Sequence, residues 1–132
     1  MKLRTAIPLL GVCLVAAFLV VTTRFCACSD QATTAHMFVQ QTIQAPLATF
    51  RLQLGRFPTT AEGLGALFTC PPGSEGKWQG PYVEGRVPLD PWGQPYQYRY
   101  PATTSSRPYD VWSLGPDRVP SADDIGNWQM KT

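Results

Sequence analysis

Asp90-Pro91-Trp92-Gly93-Gln94-Pro95-Tyr96-Gln97-Tyr98 is the stretch whose reading decides the fold. Its first half is a turn by composition. Two prolines fix φ, and Gly93 can take φ > 0. Its second half changes period. Tyr96, Tyr98 and Tyr100 alternate with Gln97 and Arg99, the pattern of a half-buried strand. After a loop at Pro101–Pro108, Tyr109–Leu114 reads as a second strand and Gly126–Met130 as a short third one. The connection between them, Gly115–Asp124, carries Asp117, Asp123 and Asp124. A small antiparallel sheet over 94–130 with one carboxylate-rich loop is therefore expected. That loop is where the chain concentrates chemistry.

Upstream of this sheet, Ala35, Val39, Ile43, Leu47, Phe50 and Leu54 recur at spacings of three and four. They form one apolar stripe of an amphipathic helix over 31–54. Gly55 suits the residue just past its end. Pro46 cannot donate to the Thr42 carbonyl and is expected to kink or split the helix there. Thr59 or Thr60 can cap a short helix in Ala61–Phe68, with Glu62 in its first turn. Leu64, Leu67 and Phe68 would then face the long helix. Pro71–Gly85 reads as a loop anchored by Trp78 and Tyr82. Its glycines lack the spacing and the preceding strand of a phosphate-binding loop.

The N-terminal part has a different character. Thr5–Thr23 holds nineteen residues without a charge, and as a helix it would span roughly 28 Å, close to a bilayer core. Lys2 and Arg4 precede it, which predicts a cytoplasmic N-terminus and an external remainder. A cleaved signal peptide would need small residues before the cut, and Thr22–Asp30 offers Arg24 and Phe25 instead. A lipoprotein site at Cys13 would lie inside the apolar run. The expected organisation is an anchor over 1–24 and a head over 25–132.

Composition sets the remaining bounds. Proline (13) and glycine (11) are about a fifth of the 132 residues, and 44% of the chain is hydrophobic, so a turn-rich but packed domain is expected. Three of the eleven basic residues flank the apolar run. From Phe25 onward eight Lys/Arg face nine Asp/Glu, a net charge of −1. Such a head offers no electrostatic footprint for nucleic acid. Cys26 and Cys28 lack the second pair that a zinc site needs. They and Cys70 read either as unpaired thiols or as a disulfide between Cys70 and one of the other two. His36, the single histidine, has no Ser or Cys partner nearby in sequence, and nothing else pairs a nucleophile with a base. No enzyme and no small-molecule substrate are expected.

Taken together, the chain resembles the G-type major pseudopilins of type II secretion systems. The resemblance covers about Phe50 to Trp128. It runs through Phe50-Arg51-Leu52, Gly55-Arg56-Phe57-Pro58-Thr59-Thr60, Gly63-Leu64 and Ala66-Leu67. It continues with Trp78, Gly80-Pro81-Tyr82, Asp90 to Tyr98, Tyr109-Asp110, Ser113-Leu114-Gly115 and Asp124-Ile125-Gly126-Asn127-Trp128. It implies an α+β, type IV pilin-like fold: a long N-terminal helix, membrane-spanning in its first half, on a three-stranded antiparallel sheet, with a short second helix in the connecting loop. It further implies a single-pass inner-membrane protein with a periplasmic head. Such subunits polymerise through their N-terminal helices, alongside other pseudopilins and inner-membrane secretion components, into a filament that drives export of folded proteins. The alternative is a membrane-anchored or exported binding module that reuses the head without filament assembly.

The resemblance also implies calcium in the loop between the last two strands. Asp117 and Asp124 carry over most directly as ligands, with Asp123 beside them. The strand end at Leu114 offers a backbone carbonyl, and Val119 or Ser121 a second. Calcium takes six to eight oxygens in flexible geometry, which suits such a set; the D-x-D-x-D-G order of an EF-hand is absent. The plain alternative is a solvated acidic turn. The family's usual beginning, a basic leader, a glycine and a mature Phe-Thr-Leu-Ile-Glu run, has no counterpart here, and the first carboxylate is Asp30. Cleavage by prepilin peptidase is accordingly not expected.

Overall fold

The computed structural model describes residues 30–129. The expected anchor at Thr5–Thr23, the thiols Cys26 and Cys28, and the question of N-terminal processing lie outside the described residues. The chain divides into two units, Met1–Asp30 and Gln31–Thr132, and the fold described is that of the second.

The helical region runs as expected to Leu54, but in three pieces. Residues 30–37 (α1) are α-helical, Phe38–Thr42 form a wider π-helical turn, and Gln44–Leu54 (α2) resume the α-helix. The interruption lies a turn before Pro46, not at it. Pro46 occupies the first turn of α2, where a missing N–H costs little. The wide turn has a second cause in the stripe. Ala35, Val39, Ile43 and Leu47 are spaced by four. In a regular helix three such steps would carry the stripe round by about 120°. One π-turn, in which Ile43 N–H donates to the Phe38 carbonyl at 3.2 Å, takes up the excess. Gln44 Nε2 then donates to the Val39 carbonyl at 3.2 Å. Ala35, Val39, Ile43, Leu47 and Phe50 are all buried as a result, and Leu54 packs against them. Gly55 closes α2 in the left-handed region, φ +77°, its N–H on the Arg51 carbonyl at 2.8 Å.

The short second helix is a 3₁₀ helix, Gly63–Leu67. Thr59 and Glu62 hold its entry reciprocally. Thr59 Oγ1 accepts from Glu62 N–H at 3.2 Å, and Glu62 Oε2 accepts from Thr59 N–H at 2.7 Å. Arg56 grips both oxygens of the same carboxylate at 2.7 and 2.8 Å. Leu64, Ala66 and Leu67 are buried, whereas Phe68 is only half-buried. Trp78 and Tyr82 anchor the following loop as expected. Trp78 Nε1 donates to the Ala66 carbonyl at 3.0 Å, and Tyr82 lies edge-on to Phe50, its hydroxyl donating to Gln53 Oε1 at 2.5 Å.

Three strands complete the unit: β1 (Gln97–Arg99), β2 (Asp110–Ser113) and β3 (Ile125–Gly126), antiparallel in the order β1-β2-β3. Tyr98 faces Val111 across β1 and β2, and Trp112 faces Gly126 across β2 and β3. The tyrosine alternation holds, with Tyr96 and Tyr98 buried. Tyr96 stacks on Phe38 at 4.0 Å and joins helix to sheet, and Tyr98 donates to the Pro58 carbonyl at 2.9 Å. The sheet is narrower than the expected 94–130, and its third strand ends at Gly126. Asn127 ends the ladder. Its N–H donates to the Val111 carbonyl at 3.0 Å, its Oδ1 accepts from Val111 N–H at 3.2 Å, and its Nδ2 donates to the Tyr109 carbonyl at 2.9 Å. Trp128 is half-buried over Gly126 and 5.9 Å from Trp112, outside the core cluster.

Candidate functional site

The acidic loop leaves the sheet at the end of β2 and returns as β3, so both ends are fixed by strand pairing. Within it the carboxylates organise short turns. Asp117 Oδ1 accepts from Val119 N–H at 3.1 Å, and Asp124 Oδ1 from Ser121 N–H at 3.2 Å. Asp123 Oδ1 accepts from the Ser121 hydroxyl. Arg118 between them adopts φ +62°. Burial pushes the Asp124 carboxyl above its ordinary value, and the charges of Asp117 and Asp123 push the same way against the Ser121 hydrogen bond. Asp117 and Asp123 thus both act on Asp124 as like charges.

The loop carries oxygen donors of the kind calcium takes. They are hard oxygens, three of them carboxylates, on a loop with fixed ends. The beginning of the loop is also shaped to admit Asp123. Gly115 has φ +72°, and a Cβ there would stand 3.1 Å from the Asp123 carbonyl oxygen and 3.3 Å from its Oδ2. Leu114 lies directly before this contact, and the Ser121 carbonyl accepts from Asp124 N–H at 3.4 Å. The grouping is looser than a closed ligand shell. Among the described residues, no three His, Cys, Asp or Glu side chains are gathered as metal ligands would be.

Two buried carboxylates that sequence reasoning did not single out brace the two ends of β2. Asp90 Oδ1 accepts from Trp92 and Gln94 N–H at 3.1 and 2.8 Å, while its Oδ2 accepts from the Ser113 hydroxyl at 2.6 Å. Asp110 gathers the loop before β2. Its oxygens accept from the N–H groups of Thr103, Thr104 and Ser105 and from Arg99. Burial would raise the Asp110 pKa, but these donors together hold it well below the usual carboxylate range. An aspartate in or beside a turn is the available sequence signal for such roles, since it caps backbone N–H groups. His36 lines an open groove with Gln40, Ile125 and Gln129. Cys70 is a free thiol whose pKa is pushed up by burial and by Glu75. Among the described residues no helix is long and apolar enough to cross a membrane.

A long interrupted helix laid on a three-stranded antiparallel sheet, with a short helix in the connection, defines the head of a type IV pilin-like protein. A family model described as type II secretion system protein G matches residues 26–128, and the chain belongs to that family. It is 42% identical over 92 residues to the type II secretion system core protein G of Klebsiella pneumoniae, covering 67% of this chain and 64% of the relative. The corresponding protein of Dickeya chrysanthemi is 41% identical, with 67% and 58% covered. The chain thus spans about three-fifths of the length of these relatives. The solved structure of the major pseudopilin from the type 2 secretion system of enterohaemorrhagic Escherichia coli aligns over 95% of this chain and 98% of its own, with a TM-score of 0.63 and 32% identity.

Proposed function

We propose that this chain is a structural subunit of a type II secretion pseudopilus and acts by assembly, not by catalysis. Its head projects into the periplasm, and Thr5–Thr23 anchors it in the inner membrane with the N-terminus inside. Copies polymerise through their N-terminal helices, together with other pseudopilins and inner-membrane secretion components, and the growing filament drives folded proteins outward. The observation that carries this reading is the family's head architecture following a charge-free run of bilayer length. The acidic loop holds Ca2+ through Asp117, Asp123 and Asp124, aided by the backbone carbonyls of Leu114 and Ser121, and so ties β2 to β3. Deleting the gene should leave exported proteins trapped in the periplasm, and expression in trans should release them. Undiminished secretion in the deletion strain would contradict the proposal.

A further inference from the structure

We propose that the groove between α2 and the segment entering β2 binds an acidic peptide segment of a partner protein, with Arg51 and Arg107 taking its carboxylates. This contact is separate from the packing of N-terminal helices, and peptide binding can hold or fail whether or not filaments form.

The distribution of charge singles out this groove. Among the described residues two cations are spent in ion pairs, Arg56 on Glu62 and Arg99 on Asp110. Lys77, Arg86 and Arg118 each have an acidic residue within two positions: Glu75, Glu84 and Asp117. Arg51 and Arg107 do not. Both line one open groove of about 600 Å³ that has no acidic residue in its lining. From Phe25 onward the chain carries more acidic than basic residues. Two guanidiniums in one groove are therefore a local positive excess, which a carboxylate-bearing partner complements.

Both arginines are held before a partner arrives. The Arg51 guanidinium lies over the Phe57 ring, 5.3 Å from its centroid. A guanidinium stacked on a ring keeps its N–H edge for a carboxylate. Arg107 donates to Gln40 Oε1 at 3.3 Å. Gln40 is fixed in turn, its Nε2 donating to the Gln129 carbonyl at 2.7 Å. That bond uses one of the five N–H donors of the Arg107 guanidinium. Such preorganisation lowers the ordering cost of binding. Between the arginines the lining is small or apolar: Ala45 and Ala48, exposed on α2, and the buried residues Phe57 and Tyr109.

This lining selects the occupant. Phosphate polymers and anionic bilayers are met by broad positive surfaces, and two arginines on a near-neutral head do not make one. Two charges beside apolar surface suit a peptide in which acidic and apolar residues alternate. A second copy of the chain offers less. Its Glu62, Asp90 and Asp110 are engaged internally, and its acidic-loop carboxylates bond to their own turns.

The test is the fluorescence anisotropy of a fluorescein-labelled Leu-Glu-Leu-Glu-Leu peptide titrated with the detergent-extracted full chain. Saturable binding is expected, and the Leu-Gln-Leu-Gln-Leu counterpart should not bind. Arg51→Gln and Arg107→Gln should each raise Kd about fivefold, the upper end for one exposed ion pair. Arg51→Lys, which keeps the charge, should raise it less than Arg51→Gln. Ala48→Glu brings a carboxylate into the groove from an exposed helical position that suits glutamate. It should abolish binding with an unchanged thermal melt, and it carries the test if Arg107→Gln does not fold. No saturable binding of the acidic peptide, equal binding of its glutamine counterpart, or unchanged binding by Ala48→Glu would overturn the inference. Displacement of the peptide by phosphatidylglycerol added to the micelles would give the groove to a lipid surface. Self-association lost in the same variants would give it to a second copy. Either result overturns the inference as well.

Discussion

Replacing Asp110 tests whether one buried carboxylate organises the loop between β1 and β2. The side chain is fully buried and accepts from Thr103 N–H at 2.9 Å, Thr104 N–H at 3.1 Å, Ser105 N–H at 2.8 Å and Arg99 at 2.8 Å. Asp110→Ala strands three backbone donors at once. A buried donor without a partner costs about 1–3 kcal/mol. These loop groups are partly reachable by water, so the lower figure applies to each, and about 3 kcal/mol follows. The vacated side-chain volume adds to this. Against a typical stability of about 5–15 kcal/mol the loss is large, and at about 4–8 °C per kcal/mol it predicts a fall in Tm of at least about 12 °C. Asp110→Asn keeps the volume and one acceptor oxygen but turns an N–H against one of the donors, at a cost of about 2 kcal/mol. The pH dependence has a definite sign. Asp110 has a folded pKa depressed below its unfolded value, so its contribution is present above about pH 4 and is lost as pH falls through the folded pKa. Urea unfolding followed by circular dichroism, at pH 7 and pH 3, measures both effects. An Asp110→Ala variant within about 1 kcal/mol of the parent at pH 7, close to the scale of a single surface change, would refute the reasoning.

Three further outcomes are expected. Glu62, bonded to Arg56 and to Thr59 N–H, has its pKa lowered to about 2, so the bracing of the 3₁₀ helix should fade as pH drops from about 4.5 toward 2; Glu62→Gln should abolish that part of the acid sensitivity in thermal melts. Phe38→Ala removes the stack on Tyr96 and should cost about 3–5 kcal/mol in urea unfolding, whereas Leu52→Ala, at a position 84% exposed, should fall within about 0.5 kcal/mol of the parent. Millimolar Ca2+ should raise Tm, by about 2.7 kcal/mol of added stability at a hundredfold excess over Kd, with EDTA reversing it and Asp117→Ala or Asp124→Ala abolishing it.

The parts of the fold legible in the sequence were those written in local periodicity. The stripe from Ala35 to Leu54 and the tyrosine alternation each encode burial within one element, and both faces were read correctly. The entry of the short helix was legible in part: Thr59 or Thr60 stood out as a cap and Glu62 as a first-turn acid, but not the bond by which Glu62 returns to Thr59 N–H. The π-turn was less so. Its signature, three successive spacings of four, reads as an ordinary stripe until the accumulated rotation is counted. The early end of β3 depends on Asn127 reaching Tyr109 and Val111, and the role of Asp90 depends on Ser113, 23 residues away. Such long-range bonds between a side chain and another segment have no period to reveal them. The acidic loop stood out by its carboxylates, while the pair that braces the end of β2 did not, because a buried aspartate and serine look like any turn and strand in one dimension.

Assembly is the central claim, and filament isolation tests it most directly. Cells overproducing the chain together with its secretion machinery should be sheared, and the released material imaged and probed with antibody to the head. Thin surface filaments containing the chain as their repeating subunit are the predicted result. Recovery of the chain solely as dispersed membrane protein, with no labelled filament, would contradict it.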